Sequence, residues 1–88
     1  MKLKYNFVVR NVGGKCMAVA VGEDNARFNG MIKMNATGEF IFTMLKNNTT
    51  LEKIAQAVVE KFGVDENQAK TDAEKFIDTL KKSGIIEE

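Results

Sequence analysis

The sequence predicts an α+β domain of winged-helix-like architecture, in which a three-stranded antiparallel sheet is followed by three helices. The first third of the 88-residue chain is rich in Val, Phe, Met and Gly, whereas apolar residues from Asn35 onward recur every three to four positions. No repeat or Ser-rich linker interrupts the chain, which contains no proline. A chain of this length suits one modest core, so we expect residues 1–88 to form a single domain.

The strands are predicted by turn residues between apolar runs. Residues 5–12 and 15–21 flank Gly13-Gly14, a pair that accepts the positive backbone dihedrals of a two-residue hairpin turn. A polar turn over residues 22–25 precedes a third strand over residues 28–34. Because side chains alternate along a strand, one side would carry Phe28, Gly30, Ile32 and Met34, and the other Asn29, Met31 and Lys33.

The first helix is predicted to begin at Asn35, whose side chain suits an N-cap. The spacing of 3.6 residues per turn gives it a predicted inward face of Ala36, Phe40, Ile41, Met44 and Leu45.

Two more helices are predicted by reciprocal caps. Thr49 with Glu52 opens the second helix, which ends at Gly63. Asp65 with Gln68 opens the third, which stops at Gly84 and is followed by an extended end that packs back on the domain. The apolar stripes are Leu51, Ile54, Ala55, Val58 and Val59 in the second helix and Ala69, Ala73, Phe76, Ile77 and Leu80 in the third.

Composition argues against several functional classes. Thirteen Lys and Arg against twelve Asp and Glu give a net charge of +1, without the basic excess of nucleic-acid-binding proteins. Cys16 is the only cysteine and histidine is absent, so we expect no disulfide, metal site, cofactor or imidazole base, and no enzymatic activity. The longest apolar run, residues 16–21, is far shorter than the roughly 20 residues of a membrane helix, and no signal peptide is evident. We therefore expect a cytoplasmic protein with neither nucleic acid nor membrane as a partner.

An ordered set of motifs resembles a known family. Residues 7–10 precede Gly-Gly, and residues 34–42 give an apolar residue, Asn, a variable residue, Thr-Gly and an aromatic helix. Residues 49–54 supply a Thr-rich cap, residues 61–64 an aromatic-x-Val bridge, and residues 69–87 the last helix and tail. Together these segments resemble the PqqD family, also called RiPP recognition elements, over almost the whole chain.

The resemblance implies a function as an adaptor. Members of that family are small winged-helix-like domains that hold the leader of a ribosomally made precursor peptide, while a separate modifying enzyme, often of the radical SAM class, acts on the core peptide. The third strand of a three-stranded meander is an edge, whose unpaired N–H and C=O groups a partner strand satisfies. By resemblance, the leader would lie along this strand and against the last helix. The implied peptide-binding residues are Phe28, Asn29, Gly30, Met31, Ile32, Lys33, Met34, Asp72, Ala73, Lys75, Phe76 and Thr79.

Each of these residues also has a structural interpretation. Core spacing is shared by Phe28, Ile32, Met34, Ala73 and Phe76. Met31 and Lys33 lie on the opposite side of the third strand, where Lys33 also suits a charge that protects an edge strand from aggregation. Asp72 also suits an intrahelical partner of Lys75. Gly38 is interpreted as allowing close packing against the sheet, and Cys16 as a small buried hydrophobe.

Two alternatives remain open. A winged-helix DNA-binding protein would place the third helix in the major groove, but Asp65, Glu66, Asp72, Glu74 and Asp78 on that helix disfavour contact with phosphates. The exposed edge strand would also serve a homodimer, in which a second copy replaces the leader.

Overall fold

The computed structural model describes residues 1–22 and 30–88, and these contain five strands and three helices. The elements in chain order are β1 (Lys2–Leu3), β2 (Phe7–Val12), β3 (Lys15–Ala20), β4 (Met31–Met34), α1 (Ala36–Met44), α2 (Leu51–Phe62), α3 (Glu66–Lys82) and β5 (Ile86–Glu87). The predicted α+β class, with a three-stranded antiparallel sheet followed by three helices, is confirmed.

The main sheet has the strand order β2-β3-β4, and both pairs are antiparallel. Gly13 and Gly14 connect β2 to β3 with φ of 57° and 78°, so both central residues of the predicted hairpin turn have the positive φ of a type I′ turn. The third predicted strand is shorter than expected, because β4 begins at Met31 and Gly30 precedes it. Phe28 and Asn29, predicted as its first residues, lie outside the described residues.

Side-chain caps begin all three described helices. Asn35 Oδ1 accepts a hydrogen bond from the Gly38 N–H at 2.8 Å, and Asp65 Oδ1 accepts one from Gln68 at 2.9 Å, as predicted. The predicted cap of the second helix is wrong by one residue, because Thr50 Oγ1 accepts from the Lys53 N–H at 3.3 Å.

Thr49 is not a cap because it belongs to the packing of the chain start. Its side chain is buried, and its N–H donates to the Met1 carbonyl at 2.9 Å. The Met1 ammonium donates in turn to the Thr49 carbonyl and to Asn48 Oδ1, each at 2.8 Å. The two adjacent threonines therefore have different roles. Thr49 is held by contacts with the N-terminus, and Thr50 caps α2.

The two ends of the chain pair with each other. β1 and β5 form a second, antiparallel sheet in which Lys2 faces Glu87 and Leu3 faces Ile86. The Lys4 N–H donates to the Ile85 carbonyl at 2.7 Å, and the Leu3 N–H donates to the Leu45 carbonyl at 2.8 Å. The expectation that the extended C-terminal end packs back is confirmed, whereas the strand at the N-terminus was not predicted.

The core lies between one face of the main sheet and the helices. Phe7 of β2 and Phe42 of α1 meet edge to face, with ring centroids 5.3 Å apart. The predicted inward face of α1 needs correction, since Phe42 is fully buried and Ala36 is exposed. Ala36 is the first residue of α1 and lies beside the solvent-exposed Asn35 cap, whereas Phe42 lies nearly two turns further along the helix.

Candidate functional site

Within the part of the chain that the structure describes, the main sheet has two edge strands, β2 and β4, and the predicted site lies at β4. In an antiparallel pair, alternate residues direct both backbone groups toward the partner strand. The tight turn makes Val12 and Lys15 a hydrogen-bonded pair, and the Val21 N–H continues the ladder by donating to the Asn6 carbonyl at 3.0 Å. The odd-numbered residues of β3 therefore face β2, and the even-numbered ones face β4.

This alternation determines which backbone groups of β4 are open. Ala18 pairs with Ile32 and Cys16 with Met34, so Ile32 and Met34 direct their backbone groups toward β3. The N–H and C=O groups of Met31 and Lys33 consequently point away from the sheet. Of the predicted strand residues that are described, only these two offer main-chain groups at the edge.

The side chains of β4 divide between two faces as the sequence predicts. Ile32 is buried and Met34 is half-buried, on the face that packs against the helices. Met31 and Lys33 are exposed on the opposite face. Gly30 is also exposed, just before the strand begins.

A shallow groove of about 300 Å³ lies between α3 and the start of α1. The α3 wall is formed by predicted site residues, namely Asp72, Lys75, Phe76 and Thr79. The other wall is formed by Asn35, Thr37, Gly38 and Ile41, which immediately follow β4. The groove therefore begins where the open edge ends, and the structure brings together the two parts of the predicted site.

The predicted site requires a correction at Ala73. It has no exposed surface and lies in the core, on the stripe of α3 that it shares with Ala69, Ile77 and Leu80. A methyl side chain at this position is too short to reach past its neighbours to the groove. The predicted contact between Ala73 and a peptide is therefore replaced by a packing role.

The polar groups of the groove are held mainly by their own helix. Asp72 Oδ1 accepts a hydrogen bond from Gln68 Nε2 at 2.8 Å, and Thr79 Oγ1 donates to the Lys75 carbonyl at 3.0 Å. Within residues 1–22 and 30–88, Asp72 and Lys75 form no ion pair with each other. The intrahelical partner of Asp72 is thus Gln68, and the Lys75 ammonium remains at the rim.

Gly38 lets the two walls approach each other. A Cβ built on this residue would lie 3.0 Å from the Met34 Cβ and 3.1 Å from Phe76 Cε1, both shorter than ordinary packing distances. The predicted packing role of Gly38 is therefore correct, and its neighbours include α3 as well as the sheet. Sequence reasoning missed this wall of the groove, although the Thr37-Gly38 motif that marks it was among the residues that carry the resemblance.

Cys16 lies on β3 opposite Met34, close to the groove, and is partly exposed. Desolvation and the neighbouring Glu39 carboxylate raise the pKa of its thiol. The thiol is therefore protonated near neutral pH, as expected of an unreactive cysteine, but the predicted burial of Cys16 is wrong because the residue is partly exposed.

A second, larger groove of about 540 Å³ separates α2 from α3 on the other side of α3. It has an apolar floor of Leu51, Ala55 and Val59, and it contains none of the predicted site residues. The edge and the α1–α3 groove, rather than this larger space, therefore form the candidate site.

None of the described helices is long and apolar enough to cross a membrane.

The chain resembles known proteins over most of its length. A family model described as coenzyme PQQ synthesis protein D (PqqD) matches residues 14–86. Among solved structures, TbiB1 in complex with the TbiA(beta) leader peptide is 18% identical, with a TM-score of 0.75 over 99% of this chain and 95% of that chain. Lasso peptide synthetase B1, complexed with the leader peptide, is 18% identical, with a TM-score of 0.70 over 96% of this chain and 93% of that one. No curated protein matches the sequence.

Proposed function

Because the chain belongs to the PqqD family, we propose that it binds the leader of a ribosomally synthesised precursor peptide and presents that peptide to a modifying enzyme. The observation that carries the proposal is the open edge of β4 running into the α1–α3 groove. TbiB1 and lasso peptide synthetase B1 are each in complex with a leader peptide. At 18% identity they support the fold, and the edge and groove of this chain support the binding mode.

In the proposed complex, the leader adds to the main sheet as a fourth strand. The N–H and C=O groups of Met31 and Lys33 form its hydrogen bonds, in the manner of peptides that extend an exposed sheet edge. Gly30, which carries no side chain beyond its Cα, permits a close approach of the peptide backbone just before β4. Phe28 and Asn29 remain predicted contacts that lie outside the described residues.

Main-chain hydrogen bonds alone are too weak to hold the leader. Each contributes about 0.5–1.5 kcal/mol net, so the groups of Met31 and Lys33 together supply roughly 2–6 kcal/mol. Association costs an estimated 4–15 kcal/mol in lost translational and rotational freedom. The leader must therefore also bury side chains, and those on the helix side of the added strand reach the α1–α3 groove.

The groove offers both apolar and polar contacts to those side chains. The half-buried ring of Phe76 forms an apolar wall, while Asp72 and Lys75 present opposite charges at the rim. The Thr79 hydroxyl accepts a further hydrogen bond, because its own proton is donated to the Lys75 carbonyl. A leader with one apolar side chain flanked by polar ones complements this arrangement.

The proposal assigns the chemistry to a separate enzyme and not to this chain. Within the described residues, no group of three His, Cys, Asp or Glu side chains is placed to hold a metal ion. The family resemblance implies a radical SAM enzyme as the partner. A lasso peptide synthetase is the alternative, because one of the similar proteins is lasso peptide synthetase B1.

DNA binding, the alternative for a winged-helix-like chain, is disfavoured by α3. This helix carries Lys70, Lys75, Lys81 and Lys82 against Glu66, Asp72, Glu74 and Asp78. A helix without net charge lacks the electrostatic attraction that supplies most non-specific affinity for DNA.

A homodimer through β4 is a competing use of the same edge. A second copy would pair with the backbone groups of Met31 and Lys33 and so block the leader. Sedimentation velocity with and without leader distinguishes these uses, since leader binding at this edge converts such dimers to monomers.

The proposal is tested by titrating isotope-labelled protein with the leader of the precursor encoded nearby, at low and high salt. We expect amide shifts at Met31, Lys33 and Asp72 to Thr79 that persist at high salt. Shifts confined to other surfaces would contradict the binding mode, and no shifts with any neighbouring leader would contradict leader binding. Affinity for duplex DNA that falls steeply with salt would favour the alternative.

A further inference from the structure

The face of the main sheet that points away from the helices, here called the outer sheet face, is unusually apolar. Its register places Val8, Val19 and Met31 in one row across the three strands, with Val12 and Met17 on the same face. Val8 is 37% exposed, Met31 56% and Val12 60%. The solvent face of an antiparallel sheet is ordinarily polar, and a contiguous exposed apolar surface marks an interaction site.

Among the residues that the structure describes, the charged side chains on the outer sheet face all have the same sign. Arg10 and Lys33 flank Met17 in the next row, and Lys15 lies opposite Val12. The strands β2, β3 and β4 contain no Asp or Glu. A second copy of this chain would bring like charges together, which is unfavourable, so the face complements an acidic surface.

The nature of the partner follows from the mixture of groups. A nucleic acid would match the cations but would leave the apolar rows without apolar contacts, because such interfaces are more polar than those between proteins. Apolar residues interspersed with Arg are typical of a protein–protein interface. The face therefore fits a protein surface that carries apolar side chains and carboxylates.

The position of the outer sheet face beside β4 indicates which class of protein the partner belongs to. A leader added as a fourth strand would lie about 4.8 Å beyond β4, and every second side chain would project beside Met31 and Lys33. A protein on the outer sheet face would then contact the sheet and the bound peptide together. An enzyme that must recognise the loaded adaptor needs this joint surface.

We propose that the outer sheet face docks onto an acidic, partly apolar surface of the enzyme that modifies the bound peptide. This inference rests on the proposed function, because it takes its partner from the peptide held at β4. Arg10, Lys15, Val8 and Val12 contribute to docking without contacting the leader.

The test uses the full chain and, as probes, each purified peptide-modifying enzyme encoded in the same gene cluster. Two double variants alter the face away from the leader edge, Arg10→Glu with Lys15→Glu and Val8→Ser with Val12→Ser. The matched control reverses two exposed lysines on the helices, Lys53→Glu with Lys70→Glu. Circular dichroism establishes that all three variants are folded.

Enzyme affinity is measured by biolayer interferometry and leader affinity by fluorescence anisotropy. We expect each outer-face variant to bind the enzyme about tenfold or more weakly, and the control to stay within about twofold. Leader affinity should stay within about twofold for all variants. Stronger enzyme binding to the leader-loaded protein than to the free protein would further support the joint surface.

The outcomes separate this inference from the proposed function. Equal enzyme binding by wild type and outer-face variants, or binding by none of the encoded enzymes, overturns the docking proposal while leader binding stands. Failure of the leader to bind overturns the proposed function. In that case, loss of enzyme binding in the outer-face variants would still support the outer sheet face as the surface that binds the enzyme. The assignment to a protein partner is overturned if none of the enzymes binds, the wild type binds a 30-base-pair DNA duplex, and the outer-face variants lose that binding.

Discussion

Replacing Lys33 with proline tests the proposed strand addition by removing a single hydrogen-bond donor, the Lys33 backbone N–H. The register directs the Lys33 N–H away from the sheet, so a proline removes a donor that β3 does not use. Proline is tolerated on edge strands for this reason, and the extended conformation that it favours in the preceding residue suits Ile32 in β4. The fold should survive the change, whereas the leader loses a partner for one of its carbonyl groups.

The expected loss follows from the cost of an unsatisfied carbonyl. Leaving a buried acceptor without its donor costs about 1–3 kcal/mol. At 1.4 kcal/mol for each factor of ten, the leader dissociation constant should rise by about 5- to 150-fold. Lys33→Ala is the matched control, because it removes the exposed side chain but keeps the N–H. Its effect should remain within about threefold, as expected for an exposed charge.

The assay is fluorescence anisotropy with a labelled leader, with urea denaturation of each variant as the check on folding. Ile32→Pro provides a test of the register itself, since the Ile32 N–H is directed at β3 and its loss should destabilise the fold. If Lys33→Pro binds the leader as tightly as Lys33→Ala, the leader does not pair with β4 and the reasoning is refuted. Equal destabilisation by proline at residues 32 and 33 would refute the register.

Three further predictions concern the groove, a helix cap and the thiol. Gly38→Ala should lower the free energy of unfolding by about 1–3 kcal/mol in urea and also weaken leader binding, because the added methyl overpacks the junction of the groove walls; unchanged stability would contradict the tight packing. Asp65→Ala should cost about 1 kcal/mol by the loss of the N-cap bond to Gln68 but leave leader affinity unchanged, and an altered affinity would imply a site that extends to the start of α3. Cys16 should react with DTNB at pH 8 more slowly than a free cysteine, since its thiol has a raised pKa. Glu39→Gln should speed that reaction by removing a carboxylate that opposes the thiolate, and an unchanged rate would assign the raised pKa to desolvation alone.

Most of the fold could be predicted because its turns and helix caps depend only on residues a few positions apart in the sequence. The hairpin at Gly13-Gly14 and the caps at Asn35 and Asp65 depend on neighbours within one turn. The error at Thr49 has a different origin. The local pattern favours Thr49 as the cap because Glu52 follows it by three residues, but contacts with the distant N-terminus hold Thr49 and leave the cap to Thr50.

The candidate site was predictable on the strand and only partly on the helices. Alternation along β4 predicts which side chains face the core, and pairing distinguishes the inward backbone groups of Ile32 from the outward ones of Lys33. The groove wall at Thr37 and Gly38 arises from the approach of α1 to α3, and helix periodicity contains no information on that distance. Ala73 was misassigned for the same reason, since a stripe does not indicate which residues meet a neighbouring helix.

The pairing of β1 with β5 bears on the order in which the chain folds. Lys2 and Glu87 stand near opposite ends of the sequence, so their contact closes nearly the whole chain into a loop and incurs a large entropic cost. The hairpin and the helices rely on local contacts, which form faster than non-local ones. We therefore expect β1 and β5 to pair last, after the rest of the core has formed. The burial of Leu3 and Ile85 would then complete the core.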